Sequence, residues 1–350
     1  MSIVKFSDVA HRANTKEDRF NTDKIYYVGG EHIDSNELFV ISKGIIKGST
    51  IGPMFYCGFT SGQILFVTRN PHLRKCGIVD FDGICSEKTF VIESKDTTKL
   101  SQEYLAIIMQ SDEFWNYCEE NKSGGVNYFL NWSTLADYEF ELPPIQIQEE
   151  IAEKVMSAYR LKQSYQKLLT ATDEMVKSQF IEMFGNVGET RSLCEICRPK
   201  QWPTIPTKDF TEDGYFVYGA NGVIGHYSEY NHEHPTILMA CRGASCGAIN
   251  ISQPKSYITG NAMCMDEVIP DISFEYLAYY LSNYDYKTII TGGAQPQITY
   301  TNLKKVMVPI PSYNDQQSFA LIYKQADKSK FELRKSIEAI DAVIKNLING

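Results

Sequence analysis

The sequence predicts a mixed α/β (α+β) protein built twice over, with two similar globular domains separated by two long helices that pack antiparallel as a coiled coil. Three observations lead there. Landmarks recur at a constant displacement of 168 positions (Gly124 to Gly292, Gln148 to Gln316). Short runs rich in β-branched and aromatic residues precede these landmarks in both copies. Each copy then closes on an uninterrupted amphipathic stretch too long to hide its apolar face locally.

The elements follow the same order in both copies. FSDVA at 6–10 weakly answers LCEIC at 193–197, and the apolar strand ILFVTR at 64–69 answers ILMACR at 237–242. Phe90, Val91 and Ile92 correspond to Met263, Cys264 and Met265 as a repeated core strand. SQEYLA at 101–106 and SFEYLA at 273–278 open a helix, and a Gly-Gly loop follows at Gly124-Gly125 and Gly292-Gly293. Tyr138, Phe140 and Leu142 alternate with Glu139 and Glu141 as a half-buried strand does, and match Val306, Val308 and Ile310.

Proline then introduces each long helix. In the first, Ala158, Leu161, Tyr165, Leu168 and Met175 follow a 3-4 alternation with Thr172 completing the spacing, and Gly185 is the stop. In the second, Ser312 and Asp315 have capping-box spacing behind Pro311, and Leu333, Ile337, Ile340, Ile344 and Leu347 form the stripe. Each helix of about 35 residues spans roughly 50 Å. Packed on each other they make a ruler; packed each on its own domain they do not. The resulting division is 1–145 and 187–312 for the globular domains, 146–186 and 313–350 for the helices.

Composition sets the class. With 43% hydrophobic and 22% charged residues the chain is globular, and no run approaches the ~18 apolar residues of a membrane span. The N-terminus has no basic region followed by an apolar stretch, so the expected location is the cytoplasm with no membrane partner. The nine cysteines form no disulfide framework. Cys194 and Cys197 make a lone CxxC with no second pair to complete four zinc ligands; His232 and His234 could contribute in space, but free cysteines are the better reading and no metal is expected. The net charge of −9, with no basic stretch, means that any nucleic-acid partner must be held by a local basic face or with help from other subunits.

Motifs for chemistry are missing from the sequence. Pro143-Pro144 lacks the acid or amide and the aromatic that flank such a pair in adenine methyltransferases, and there is no phosphate-binding GxxxxGK[ST]. Gly219 to Gly225 is a turn-rich loop rather than a dinucleotide fingerprint. Asp82 with Glu93-Ser94-Lys95 has the spacing of a metal-dependent nuclease, but it falls on the repeated core strand. No catalytic residue and no cofactor are expected.

PPIQIQEEIAEKV at 143–155, behind a strand and a Gly-Gly loop, is similar to the join between recognition domain and spacer helix in specificity (S) subunits of type I restriction-modification systems. The resemblance extends to YVGGEHI and VYGANGVIG, to GGVNYFLNW and GGAQPQITY, and to both helices. The second junction, PIPSYNDQQ, departs from the pattern. The resemblance implies that each recognition domain reads half of a bipartite, asymmetric double-stranded DNA target. The helices set the gap and bind two modification methyltransferase subunits, and catalysis lies with these and the restriction and motor subunits. A type IIB specificity component has similar architecture. A coiled-coil protein scaffold that touches no DNA is the alternative of another class, and an acidic DNA mimic ranks last.

Side chains suited to base edges lie on loops in both copies: Arg69, Asn70, Arg74, Lys75, Lys122, Asn127 and Tyr128 in the first, and Asn221, Arg242, Ser245, Gln295, Gln297, Thr299 and Tyr300 in the second. Arg69 and Arg242 stand out, because they end the same repeated strand.

Overall fold

A computed structural model describes residues 2–260, 262–292 and 295–350. It divides into two compact units, residues 1–166 with 334–350, and residues 167–333.

In the first unit, Ser2–Lys5 pairs antiparallel with Glu139–Leu142, tying the chain start to the strand that precedes the first long helix. Tyr138 and Phe140 are buried while Glu139 and Glu141 are exposed, as the alternation predicts. A four-stranded antiparallel sheet runs in the order Ala10–Ala13, Thr89–Ser94, Ile64–Val67, Cys76–Ile78. A second sheet places Tyr26–Val28 parallel to Gly83–Ser86. The helices Gln102–Ile108 and Asp112–Glu120 are started by Ser101 and Ser111, whose hydroxyls accept from the amides of Tyr104 and Phe114. The second of them places Phe114 and Trp115, both fully buried, against Phe66 of the sheet.

The second unit repeats this plan. Thr190–Ser192 pairs with Met307–Pro309, and a four-stranded sheet runs Arg198–Gln201, Ala262–Asp266, Ile237–Ala240, Ile249–Ile251. Tyr215–Gly219 lies parallel to Tyr257–Ile258, and Phe274–Asn283 is the EYLA helix. No disulfide joins any of the nine cysteines. Among the described residues no helix is long and apolar enough to cross a membrane.

The long helices are Ile145–Phe184 and Tyr313–Asn349. The first ends where the Gly185 amide closes on the Ile181 carbonyl, and the Ser312 hydroxyl caps the second by accepting from the Asp315 amide. Each contributes to both cores. Ala152, Val155, Met156 and Tyr159 of the first helix and Ile344 of the second belong to the core of the first unit. Val176 and Phe184 join Phe319 and Ala326 in the core of the second. Within the second unit the helices run antiparallel, since Asp173 meets Lys330 while Phe180 and Phe184 meet Phe319.

The stripe expected from spacing on the first helix is matched at Ala158, Tyr165 and Thr172 and not at its other positions. Leu161, Leu168 and Met175 are exposed, at 44%, 52% and 48%. The inward positions are Val155, Tyr159, Lys162 and Val176, with Ala158, Tyr165, Leu169 and Thr172 half-buried. The stripe is rotated by about one residue because a lysine occupies it. In the second helix Leu333, Ile337, Ile340 and Leu347 are half-buried and Ile344 is buried.

Lys162 explains the rotation. Its ammonium donates to Glu37 at 2.6 Å and lies 2.8 Å from Asp341, joining the first helix to both the globular part and the last turns of the second helix. Burial lowers its pKa, but the bonds to Asp341 and Glu37 more than offset this and hold it above the ordinary lysine value. A raised folded-state pKa stabilises the fold fully below the unfolded value of 10.5 and is lost as pH rises through the folded one. Lys162→Met is therefore expected to cost about 1–2 kcal/mol at neutral pH, limited by the partial exposure of both carboxylates. Urea denaturation at increasing pH checks this, the difference from wild type narrowing only in strong alkali.

Candidate nucleic-acid interface

The arginines singled out by the repeat sit in equivalent backbone clasps. The strand Ile64–Val67 continues to Arg69, which forms an antiparallel bridge with Phe129, and Phe129 in turn bridges Ser123 across the loop. In the second unit Arg242 bridges Gln297, and Gln297 bridges Thr291. The hydrogen bonds repeat too. The Asn70 amide donates to Tyr128 at 2.9 Å and the Gly243 amide to Pro296 at 2.9 Å; the Leu130 amide donates to Thr68 and the Ile298 amide to Cys241. Asn70 and Gly243 both turn with positive φ, 52° and 78°, which explains an Asn and a Gly at matching positions. Gly124 and Gly292 share the loop conformation at φ 99° and 85°; a Cβ on either would meet the carbonyl oxygen three residues on, of Asn127 or Gln295. Gly293, second of its pair, lies outside the described residues.

The side chains carried by the two clasps differ. In the first, the Arg69 guanidinium lies over the Phe129 ring, 5.0 Å from its centroid, and Arg69 is half-buried. Asn127 is exposed beside Val126, which is 92% exposed at the loop tip. Lys122 pairs with Glu119 at 2.6 Å and covers the half-buried Tyr128 ring. In the second, Arg242, Gln295 and Gln297 are exposed together and Ser245 is half-buried on the adjoining turn. Asn221 is exposed in the two-residue turn between Tyr215–Gly219 and Gly222–Tyr227.

Other expected contacts are already engaged within the fold. Arg74 pairs with Asp112, and the Lys75 ammonium donates to the Gly30 carbonyl at 2.6 Å. Thr299 caps the helix Tyr300–Leu303, its hydroxyl accepting from the Asn302 amide, and Tyr300 is the first residue of that helix. Arg74, Lys75 and Thr299 thus have partners within the fold, while Tyr300 is exposed. Phe129, the partner of Arg69, was missed because readout chemistry favours polar side chains; its alignment with Gln297 in the repeat was the available signal.

The residues with nuclease-like spacing are held as surface polar groups of the sheets. Asp82 pairs with Lys24 at 3.0 Å and accepts from the Ser61 amide, while Glu93 pairs with His11 at 3.1 Å and accepts from Gln63. Lys95 donates to the Ser7 carbonyl.

The domain-helix junctions show the same duplication. Gln148 is fully buried; its amide nitrogen donates to Lys99 and Pro143 carbonyls and its oxygen accepts from the Ser101 amide. Gln316, also fully buried, donates to Asp271 and Pro311 and accepts from Ser273. The divergent wording of the second junction therefore conceals the same joint, because one glutamine does the bonding and its neighbours face solvent.

Two Escherichia coli proteins are similar over parts of the chain. The type I restriction enzyme EcoprrI specificity subunit is 25% identical over 162 residues, 45% of this chain and 39% of that protein. The EcoDI specificity subunit is 28% identical over 109 residues, 31% and 24% of the two chains. The matched stretches thus span well under half of these relatives. Two solved structures share the fold over 99% of the chain. One is the type I restriction-modification S subunit from M. genitalium, with TM-score 0.69, 13% identity and 94% of that chain covered. The other, from work on assembly and conformational transition of a type I R-M system, has TM-score 0.59, 17% identity and 96% covered. The model of the type I restriction modification DNA specificity domain matches residues 3–170 and again 187–341, and the chain belongs to that family.

Proposed function

We propose that this chain is a non-catalytic recognition subunit that reads a bipartite, asymmetric double-stranded DNA sequence and directs modification methyltransferase and restriction subunits to it. The observation that carries this reading is the duplicated clasp. A common backbone frame presents Arg69, Phe129 and Asn127 in one unit and Arg242, Gln297 and Gln295 in the other. Equal frames with unequal side chains suit two unlike half-sites read in the major groove, where side-chain identity selects the base.

In this reading residues 1–145 and 187–312 are the readers, while 146–186 and 313–350 set the spacing and offer the methyltransferase subunits, two of them, a place to bind. The net charge of −9 is then accommodated by division of labour: partners supply phosphate attraction, and this chain supplies discrimination. Loss of one split methylated motif from the methylome on deletion of the gene is the expected result, and an unchanged methylome would refute the reading. Arg242→Ala is expected to weaken binding of the reconstituted complex by about 1–3 kcal/mol if the arginine pairs with a guanine. Competition binding at one fixed salt concentration measures it, because salt alone shifts such affinities by orders of magnitude.

A further inference from the structure

One cluster of side chains plays no part in the clasps or the helices. In the second unit His232, Cys264 and Asp266 bring one nitrogen, one sulfur and one oxygen within 4.8 Å of one another. Cys264 and Asp266 lie two apart on the strand Ala262–Asp266, so they share a face of the sheet. His232 arrives from the loop before Ile237–Ala240, pinned there because its backbone amide and carbonyl both bond Ser256.

The hydrogen bonds around the cluster determine which atoms are available. Asn231 cannot turn its amide over: its oxygen accepts from the Ile258 amide at 2.8 Å and its nitrogen donates to the Ile258 carbonyl at 3.0 Å. That fixed oxygen lies 2.7 Å from His232 Nδ1, so Nδ1 carries the hydrogen. His232 Nε2 is then left facing Asp266 Oδ1 at 3.1 Å. The other carboxylate oxygen is taken by the Trp202 indole N–H at 2.9 Å, which aims Oδ1 at the histidine. A neutral imidazole would oppose a lone pair to the carboxylate, so either a second proton or a cation must lie between them.

The buried sulfur beside this pair, packed with Tyr218, Leu238 and Ile258, favours the cation. A second proton leaves Cys264 without a role in the cluster, whereas a borderline-soft cation uses nitrogen, oxygen and sulfur together. The geometry points to a divalent transition-metal site, of zinc type, with His232 Nε2, Cys264 Sγ and Asp266 Oδ1 as ligands and Asn231 and Trp202 as the groups that orient them. Carboxylate and amide partners of this kind normally fix the tautomer and direction of metal ligands. His232 and Asp266 line a cleft of about 540 Å³, also bordered by Glu233, His234 and Glu267, from which the cation enters and a fourth ligand is drawn. On binding, the thiol proton passes to solvent as the sulfur takes up the metal. The first unit has Val91 and Glu93 at the positions of Cys264 and Asp266, so the shared fold does not require the sulfur, and the site is particular to the second reader. The metal would clip the His232 loop to the sheet that carries Arg242.

Cobalt(II) titration of the full-length chain, stripped with EDTA and desalted, tests this. The expected result is saturation at one cobalt per chain with a thiolate-to-metal absorption band in the near ultraviolet, displaced by zinc. Cys264→Ser abolishes the band, and His232→Gln and Asp266→Asn lose the stoichiometric binding. Asn231→Ala weakens zinc roughly 10- to 100-fold while leaving the ligands in place. Should Cys264→Ser fail to fold, His232→Gln decides, because that side chain borders the cleft rather than the core. No saturable band in the wild type, or wild-type binding retained in His232→Gln, overturns the proposal. So does nitrogen NMR that finds both His232 ring nitrogens protonated in saturating zinc.

Discussion

Phe319→Ala is expected to destabilise the second unit by about 3–5 kcal/mol, the range for removing a large aromatic from a packed core. Phe319 is fully buried, and its ring centroid lies 5.1 Å from Phe180, 5.6 Å from Phe184 and 5.0 Å from Tyr279. It is the point at which both long helices meet the EYLA helix, so the cavity would open between three elements at once and could not collapse by moving one. Hydrogen exchange locates the loss: amides of 187–312 should lose protection while the sheet of the first unit keeps it. Exchange unchanged in the second unit would show that the aromatic cluster does not hold the helices there.

Gln148→Ala and Gln316→Ala are each expected to cost about 2–3 kcal/mol, from three buried or half-buried backbone groups left without partners, at roughly 1–3 kcal/mol for a buried one and less where water enters. The equality of the two effects is the sharper expectation, since the partners correspond one for one. Gln148→Glu refines the test. Its carboxylate would point an acceptor at the Lys99 and Pro143 carbonyls, so the loss should exceed that of alanine at neutral pH. It should shrink as pH falls and the protonated acid regains a donor. Thermal unfolding across pH follows both, and a pH-independent Gln148→Glu would mean that the joint admits water freely.

These two sites show what a repeat makes legible. The alignment of Gln148 with Gln316 and of Arg69 with Arg242 is legible along the chain, because duplicated structure keeps the residues whose bonds are geometrically demanding. The strand alternation at 138–142, the serine cap at Ser312 and the extent of both helices were likewise written locally, in side-chain period and capping chemistry. The seam of the first helix was not. Leu161, Leu168 and Met175 satisfy a heptad template better than Lys162 does, yet Lys162 faces inward because Glu37 and Asp341 wait there, 125 and 179 positions away. Hydrophobic spacing reads only the helix itself, whereas the face it buries depends on what the other elements present.

The candidate interface divides in the same way. Polar loop residues could be picked from sequence, but Arg74, Lys75 and Thr299 were indistinguishable from Arg242 until their bonds to Asp112, Gly30 and Asn302 were seen. The His232, Cys264 and Asp266 cluster has no sequence signature, since a loop and a strand must first be brought together. By itself, then, the sequence determined a duplicated α/β protein with two long helices, its family resemblance and the pair of arginines that end the repeated strand, all properties of local period or of similarity between copies. Only the tertiary structure decided which helix face is buried, which basic side chains are already paired and which donors converge, because each depends on distant groups that share no pattern along the chain and meet only when the sheets and helices pack.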